Sequence, residues 1–267
     1  MKKILVAAAL AASMWSGAAQ SAVEIVNVPI GQIPTFDSRV TTLGGTVIQT
    51  AVVNGVGVYN YTDANGNPAT LTVTRLDGNP LGWTTTYDNL TAPAWDISPW
   101  TEPSDTIPGE KTGLRFTFSS PVNAFGLEIG DWATCCYEAT RPAAIQSTYG
   151  VPAEGSGLWI RFNGGAATLP ANALSENDNP GWVAESRFTN FIGAIDDSGS
   201  FTTVDFWGDG FGEALYAGGT LRFAAIRRGA IGGTVAPVPA VSDTGLLAGL
   251  LGIAAFGAYR MRRRAIR

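Results

Sequence analysis

Period-two alternation of apolar and polar residues recurs along this chain, and it constrains the fold more than any other feature. The runs are 46–53 (TVIQTAVV), 55–61 (GVGVYNY), 70–75 (TLTVTR), 114–118 (LRFTF), 158–162 (LWIRF), 201–206 (FTTVDF) and 220–223 (TLRF). Successive side chains of a strand point to opposite faces, so such runs form strands that bury one face. Their β-branched and aromatic residues suit a pleated surface. In 114–118 the spacing predicts that Leu114, Phe116 and Phe118 enter the core while Arg115 and Thr117 face solvent. Asn65-Gly66 falls between two runs and predicts a hairpin, because a tight turn there needs positive φ. Runs with helical spacing are nearly absent. Residues 76–112, rich in Pro, Asp, Thr and Trp, read as a long surface excursion, and 132–156 and 163–185 read as loops. The expected fold is all-β, an antiparallel β-sandwich. No internal repeat is present.

The two ends read as addresses rather than fold. Lys2 and Lys3 precede an apolar run, Ile4 to Trp15, and then small residues with Ala19-Gln20-Ser21 or Ser16-Gly17-Ala18 as cleavage triplets. This is the layout of a secretory signal peptide, assigned to residues 1–22. At the other end Gly245 to Tyr259 carry no charge. At about 1.5 Å per residue those residues reach roughly 22 Å, against a hydrocarbon core of roughly 30 Å. With snorkelling arginines and local thinning they form a marginal transmembrane helix. Arg260, Arg262, Arg263, Arg264 and Arg267 follow. The positive-inside rule keeps that basic stop-transfer tail in the cytoplasm while the body is exported. The expected domains are therefore the leader at 1–22, a β-sandwich at 23–232, and a linker with sorting signal at 233–267.

A Pro-containing motif, one weak membrane helix and a terminal arginine cluster together resemble the PEP-CTERM sorting signal of Gram-negative bacteria. Pro237, Val238, Pro239 and Ala240 stand where that family has Pro-Glu-Pro-Ala, without the central acid. Val241-Ser242-Asp243-Thr244-Gly245 resembles the related Val-Pro-Asp-Ser-Gly variant, with Asp243, Thr244 and Gly245 as its matching end. The resemblance covers about the last thirty residues. It implies export through the Sec translocon, then recognition by an exosortase, a membrane-embedded cysteine protease that removes the tail. A second stretch, Phe116 to Asp131, with Phe191-Ile192-Gly193-Ala194-Ile195 and then Phe201 to Val204, resembles a motif of the exported domains that carry such tails. That resemblance implies a jelly-roll sandwich similar to carbohydrate-binding modules. The family's Asp-Asn-containing last strand is not evident; Glu213 and Gly218 to Phe223 stand in its place.

Charge separates body from tail. Of the 17 Lys and Arg, two lie in the leader and five in the tail, which leaves 10 against 22 acids and a body charge near −12 instead of −5. An acidic body excludes nucleic acid as a partner, since that requires a basic footprint. The chain has no histidine. That removes Ser-His-Asp and Cys-His catalysis and any His-ligated zinc. No Walker-type phosphate loop occurs. A glycosidase needs only two carboxylates, but no spacing singles out a pair.

The two cysteines, Cys135 and Cys136, are adjacent. Their Cα atoms lie about 3.8 Å apart across a trans peptide, whereas a disulfide prefers about 4.4–6.8 Å. Three states fit them: a strained vicinal ring in a turn, a bridge to another chain, or free thiols. Export to an oxidising compartment favours the ring. Asp63, Asn65 and Asn67 place oxygens at alternate positions as a calcium loop does, but Pro68 sits where such a loop needs glycine. A hairpin turn is the simpler reading, and Ca²⁺ the cofactor candidate if there is one. Trp83, Trp95, Trp100 and Trp182 lie in polar, Pro- and Gly-rich contexts and are the candidate sugar-stacking rings, while Trp159 and Trp207 sit in strands and suit a core.

The expected role is non-catalytic: a structural or adhesive component of cell surface or extracellular matrix, linked to exopolysaccharide and biofilm. A calcium-dependent carbohydrate-binding module is the alternative, and a carboxylate-based glycoside hydrolase the third.

Overall fold

A computed structural model describes residues 23–84, 93–97, 99, 103–130, 132, 140–174, 188–209 and 216–231. Its strands are β1 (Val23–Pro29), β2 (Ile48–Ala51), β3 (Val58–Thr62), β4 (Pro68–Arg75), β5 (Gly82–Thr84), β6 (Ala94–Asp96), β7 (Leu114–Val122), β8 (Ala124–Gly130), β9 (Ser156–Phe162), β10 (Thr168–Ala173), β11 (Asn190–Asp196), β12 (Phe201–Gly208) and β13 (Tyr216–Ala224). All pair antiparallel, in two sheets. Sheet I runs β1-β11-β8-β13-β6-β5, and β2 shares the edge of β13 with β6. Sheet II runs β10-β9-β12-β7-β4-β3.

Each predicted alternating run overlaps a strand. In β7, Leu114, Phe116 and Phe118 are buried while Thr117 and Ser119 are exposed. The buried faces of both sheets meet in one core. Phe116 of sheet II lies 4.6 Å from Phe125 of sheet I, and Phe118 lies 4.9 Å from Phe223. Each such ring removed from water contributes about 1.5–3 kcal/mol. The 63–67 turn joins β3 to β4, with Gly66 at φ +84° supplying the left-handed residue.

Three sequence expectations need correction. The 76–112 excursion holds β5, β6 and a 3₁₀ turn, Glu110–Thr112, and it buries Trp95, Ile97 and Ile107. Its polar residues lie between short strands, so composition averaged over the stretch hid them. The supposed loops contain a helix, α2 (Ala143–Tyr149), and strand β10. Another helix, α1 (Ile33–Thr42), opens with a proline in its first turn and buries Ile33, Phe36 and Val40. These cover the outer face of sheet I, where Phe36 meets Phe191 at 5.0 Å. Ion pairs Arg39–Glu24 and Arg222–Asp37 tie α1 to strands β1 and β13.

One acid on sheet I gives a pH test. Glu128 of β8 is more than half-buried beside the β13 bulge, where Gly219 (φ +59°) leaves room for its carboxylate. Burial raises its pKa, against the opposing bonds from the Thr220 backbone N–H and hydroxyl and the Arg222 charge. The fold therefore holds this proton more tightly than the unfolded chain does. Its contribution is favourable at low pH and is lost as pH rises from the ordinary carboxylate range through the raised value. Glu128→Gln is expected to raise the melting temperature at pH 8 and to leave it unchanged at pH 4. Equal melting shifts at both pH values would contradict this.

Candidate functional site

The outer face of sheet II carries a graded series of residues set by strand register. Facing residues of an antiparallel pair share a face, so rows run across β4, β7, β12 and β9. Trp207 of β12 faces Trp159 of β9, Asp205 faces both Arg115 of β7 and Arg161 of β9, and Thr203 faces Thr117 of β7, which faces Thr72 of β4.

At one end the face is covered and polar groups are locked inside. Arg141 and Asp209 are buried almost completely. Arg141 Nε donates to Asp209 Oδ2 at 2.6 Å, and its Nη2 donates to Asn172 Oδ1 at 2.6 Å and to the Gly155 carbonyl at 3.0 Å. Its Nη1 donates to the Pro152 and Glu154 carbonyls. Asp209 in turn accepts from the Gly157 backbone N–H at 2.6 Å and from Trp159 Nε1 at 2.7 Å. Every donor direction of the guanidinium fork thus finds an oxygen. The cluster pins the 141–155 segment, α2 included, onto β9 and β12. Trp159 and Trp207 stack beneath it, 6.1 Å apart and 7° from parallel, with Ile107, Ile145 and Ala167 closing the pocket of rings.

The next row is a charge relay between buried and open sides. Asp205, 1 % exposed, receives Arg115 through two bonds (2.7 and 2.9 Å) and Arg161 at 2.8 Å. Arg161 also reaches Glu110 at 2.7 Å and lies 5.2 Å over the Trp207 ring. The bonds to Asp205 raise the Arg115 pKa. Arg115 stays 40 % exposed at the edge of the cover.

Beyond it the face is uncharged and partly open, with Thr117 and Ser119 exposed and Thr70, Thr72 and Thr203 half-buried. One row is Thr72, Thr117 and Thr203, with exposed Val58 facing Thr72 at one end and Asn163 at the other, whose Oδ1 accepts from the Thr202 and Thr203 N–H groups and from the Thr203 hydroxyl. A second row is Asn60, Thr70 and Ser119, in which Ser119 Oγ accepts the Thr70 N–H at 2.8 Å. The Thr70, Thr72 and Thr117 hydroxyls have no protein partner among the described residues. Neighbouring strands lie about 4.7–4.9 Å apart, so the rows present hydroxyls at a regular pitch. A hydroxyl both donates and accepts, and no carboxylate interrupts these rows. The arrangement suits a neutral polyhydroxylated polymer, with Arg115 at its margin.

The residues singled out from sequence lie elsewhere. Trp95 is fully buried, packed against Tyr59, Trp83 and Phe116, so it is a core residue and not an exposed platform; β6 turns it inward by pairing with β13. Trp83 is half-buried, tilted against Trp95 at 5.6 Å. Asp63, Asn65 and Asn67 form a hairpin turn: Asp63 Oδ1 accepts the Asn65 and Asn67 N–H groups and Oδ2 accepts the Ser120 hydroxyl. Those bonds hold the Asp63 pKa below its ordinary value. Among the described residues no group of three or more acids and cysteines is placed to hold a metal. Trp100, Trp182, Cys135, Cys136, the 237–245 motif and the terminal arginines lie outside the described residues. Among the described residues no helix is long and apolar enough to cross a membrane. The hydroxyl rows escaped the sequence reading, although Thr70-Leu71-Thr72-Val73-Thr74 carries the signal: each solvent-side position of that alternation is a threonine. The chain matches no protein-family profile, and comparison with curated proteins and with solved structures returns no significant match.

Proposed function

We propose that this is an exported, non-catalytic jelly-roll protein of the cell surface or matrix, which holds neutral polysaccharide on the open face of sheet II. The single observation that carries the reading is the registered, uncharged row Thr72–Thr117–Thr203, exposed at Thr117 and half-buried at Thr72 and Thr203, on an acidic protein. In the same reading the leader at 1–22 directs export. The 237–245 motif, the 245–259 helix and the basic tail hold the chain in the inner membrane until an exosortase removes them. The neighbouring carboxylates Asp205 and Asp209 are spent on arginines and backbone amides, which fits a scaffold role for this end of the sheet.

Co-sedimentation of the purified chain with neutral exopolysaccharide tests this. Thr117→Lys places a bulky charge in the middle of the row at an exposed position and is expected to reduce binding by tenfold or more, about 1.4 kcal/mol, with folding stability changed by no more than about 0.5 kcal/mol. Undiminished binding by Thr117→Lys rules out this face. Cleavage of the polysaccharide during the assay points instead to the hydrolase reading.

A further inference from the structure

An outer strand leaves one row of backbone N–H and C=O groups unpaired, a template for another strand. On β3 the alternation of hydrogen-bonded pairs can be followed from its ends. Val73 N donates to Gly57 O at 2.7 Å and Asp63 N donates to Asn67 O at 2.9 Å. Bonded pairs therefore fall at Tyr59/Leu71 and Tyr61/Ala69 as well. The backbone groups of Val58, Asn60 and Thr62 point away from β4, and none has a partner among the described residues.

The other outer strands carry devices that discourage pairing. Strand β5 is three residues long, and β2, which pairs only with β13, is four, each too short to offer a long template. Strand β10 contains Pro170 and a register break between Thr168 and Ala171. Strand β1 ends at Pro29 and carries the Glu24–Arg39 ion pair. Strand β3, Val58-Tyr59-Asn60-Tyr61-Thr62, has no charge, proline or break. Val58 is 54 % exposed, and Val53, in the turn that leads into it, is 50 % exposed.

The occupant follows from charge. Copies of this chain, with a net charge of −5, repel one another, and β3 is a neutral strip. Antiparallel pairing about a twofold axis at Asn60 sets Asn60 against its own counterpart, Val58 against Thr62, and Tyr59 against Tyr61. The one nearby acid, Asp63, then faces Gly57 and not a second Asp63. The carboxamide at the axis both donates and accepts, so it is self-complementary. We propose that β3 is the seam of a twofold homodimer in which sheet II continues from one copy into the next. The inference stands apart from the glycan reading, although such a dimer would join two hydroxyl faces edge to edge.

Sedimentation equilibrium of the purified full-length chain in mild detergent, across a wide concentration range, is the test. The wild-type protein is expected to double in mass as concentration rises. Asn60→Lys, which sets two ammonium groups against each other at the axis, and Val58→Lys are expected to remain single copies. Thr74→Lys, exposed on β4 but away from the seam, is expected to dimerise as the wild type does. Amide exchange at Val58, Asn60 and Thr62 should slow with concentration in the wild type and not in Asn60→Lys. A wild-type chain that stays monomeric, or an Asn60→Lys chain that dimerises unchanged, overturns the proposal. A defect in glycan binding without a defect in dimerisation bears on the other reading alone.

Discussion

Asp209→Ala is expected to cost about 3–5 kcal/mol of folding stability, the usual penalty for removing one partner of a buried ion pair. The loss leaves the Arg141 guanidinium inside the protein facing only carbonyl and carboxamide oxygens, and it strips partners from Trp159 Nε1 and the Gly157 N–H. Urea unfolding monitored by tryptophan fluorescence reads the change. Asp209→Asn should fall between, because one oxygen still accepts while the charge is gone. The pair Arg141→Met with Asp209→Leu should recover part of the loss, since no charge is then stranded. If Asp209→Ala costs less than about 1 kcal/mol, the staple does not hold segment 141–155 and the cover over the tryptophan pair has another cause.

Trp95→Ala is expected to destabilise by about 3–5 kcal/mol, through lost transfer energy and the cavity left among Tyr59, Trp83 and Phe116. Among the described residues its indole N–H has no hydrogen-bond partner, so packing carries the effect. At temperatures where the variant remains folded, its affinity for polysaccharide should equal that of the wild type. The reverse pattern, with stability kept and affinity lost, would restore Trp95 as a sugar platform.

How much could be read in advance depended on local periodicity. Strands such as β7 and β9 announce themselves, because Leu114, Phe116 and Phe118, or Leu158, Ile160 and Phe162, alternate with residues of the outer face. Trp159 and Trp207, in strands, are buried as their setting predicts, but they form a satellite cluster beneath α2 and not part of the central core. That layer depends on Arg141 meeting Asp209 across sixty-eight positions, which no local pattern encodes. Short strands failed for another reason. Residues 94–96 and 82–84 are too brief to show alternation, and their stability comes from pairing with β13 and with each other. Helix α1 spaces Ile33, Phe36 and Val40 on one side, with Leu43 at its C-cap, a pattern diluted by its many polar residues. The candidate face was partly legible: the outward turn of Arg115 and Thr117 followed from alternation, but the alignment of Thr72, Thr117 and Thr203 required the register of three strands.

Methyl-resolved NMR of the threonines during titration with a soluble fragment of the neutral exopolysaccharide addresses the central claim most directly. Saturable shifts at Thr70, Thr72, Thr117 and Thr203, with no comparable change at threonines of α1, are the predicted outcome. Shifts absent from these methyls, or centred on Trp83 and the 63–67 turn, would show that sheet II does not hold the polymer.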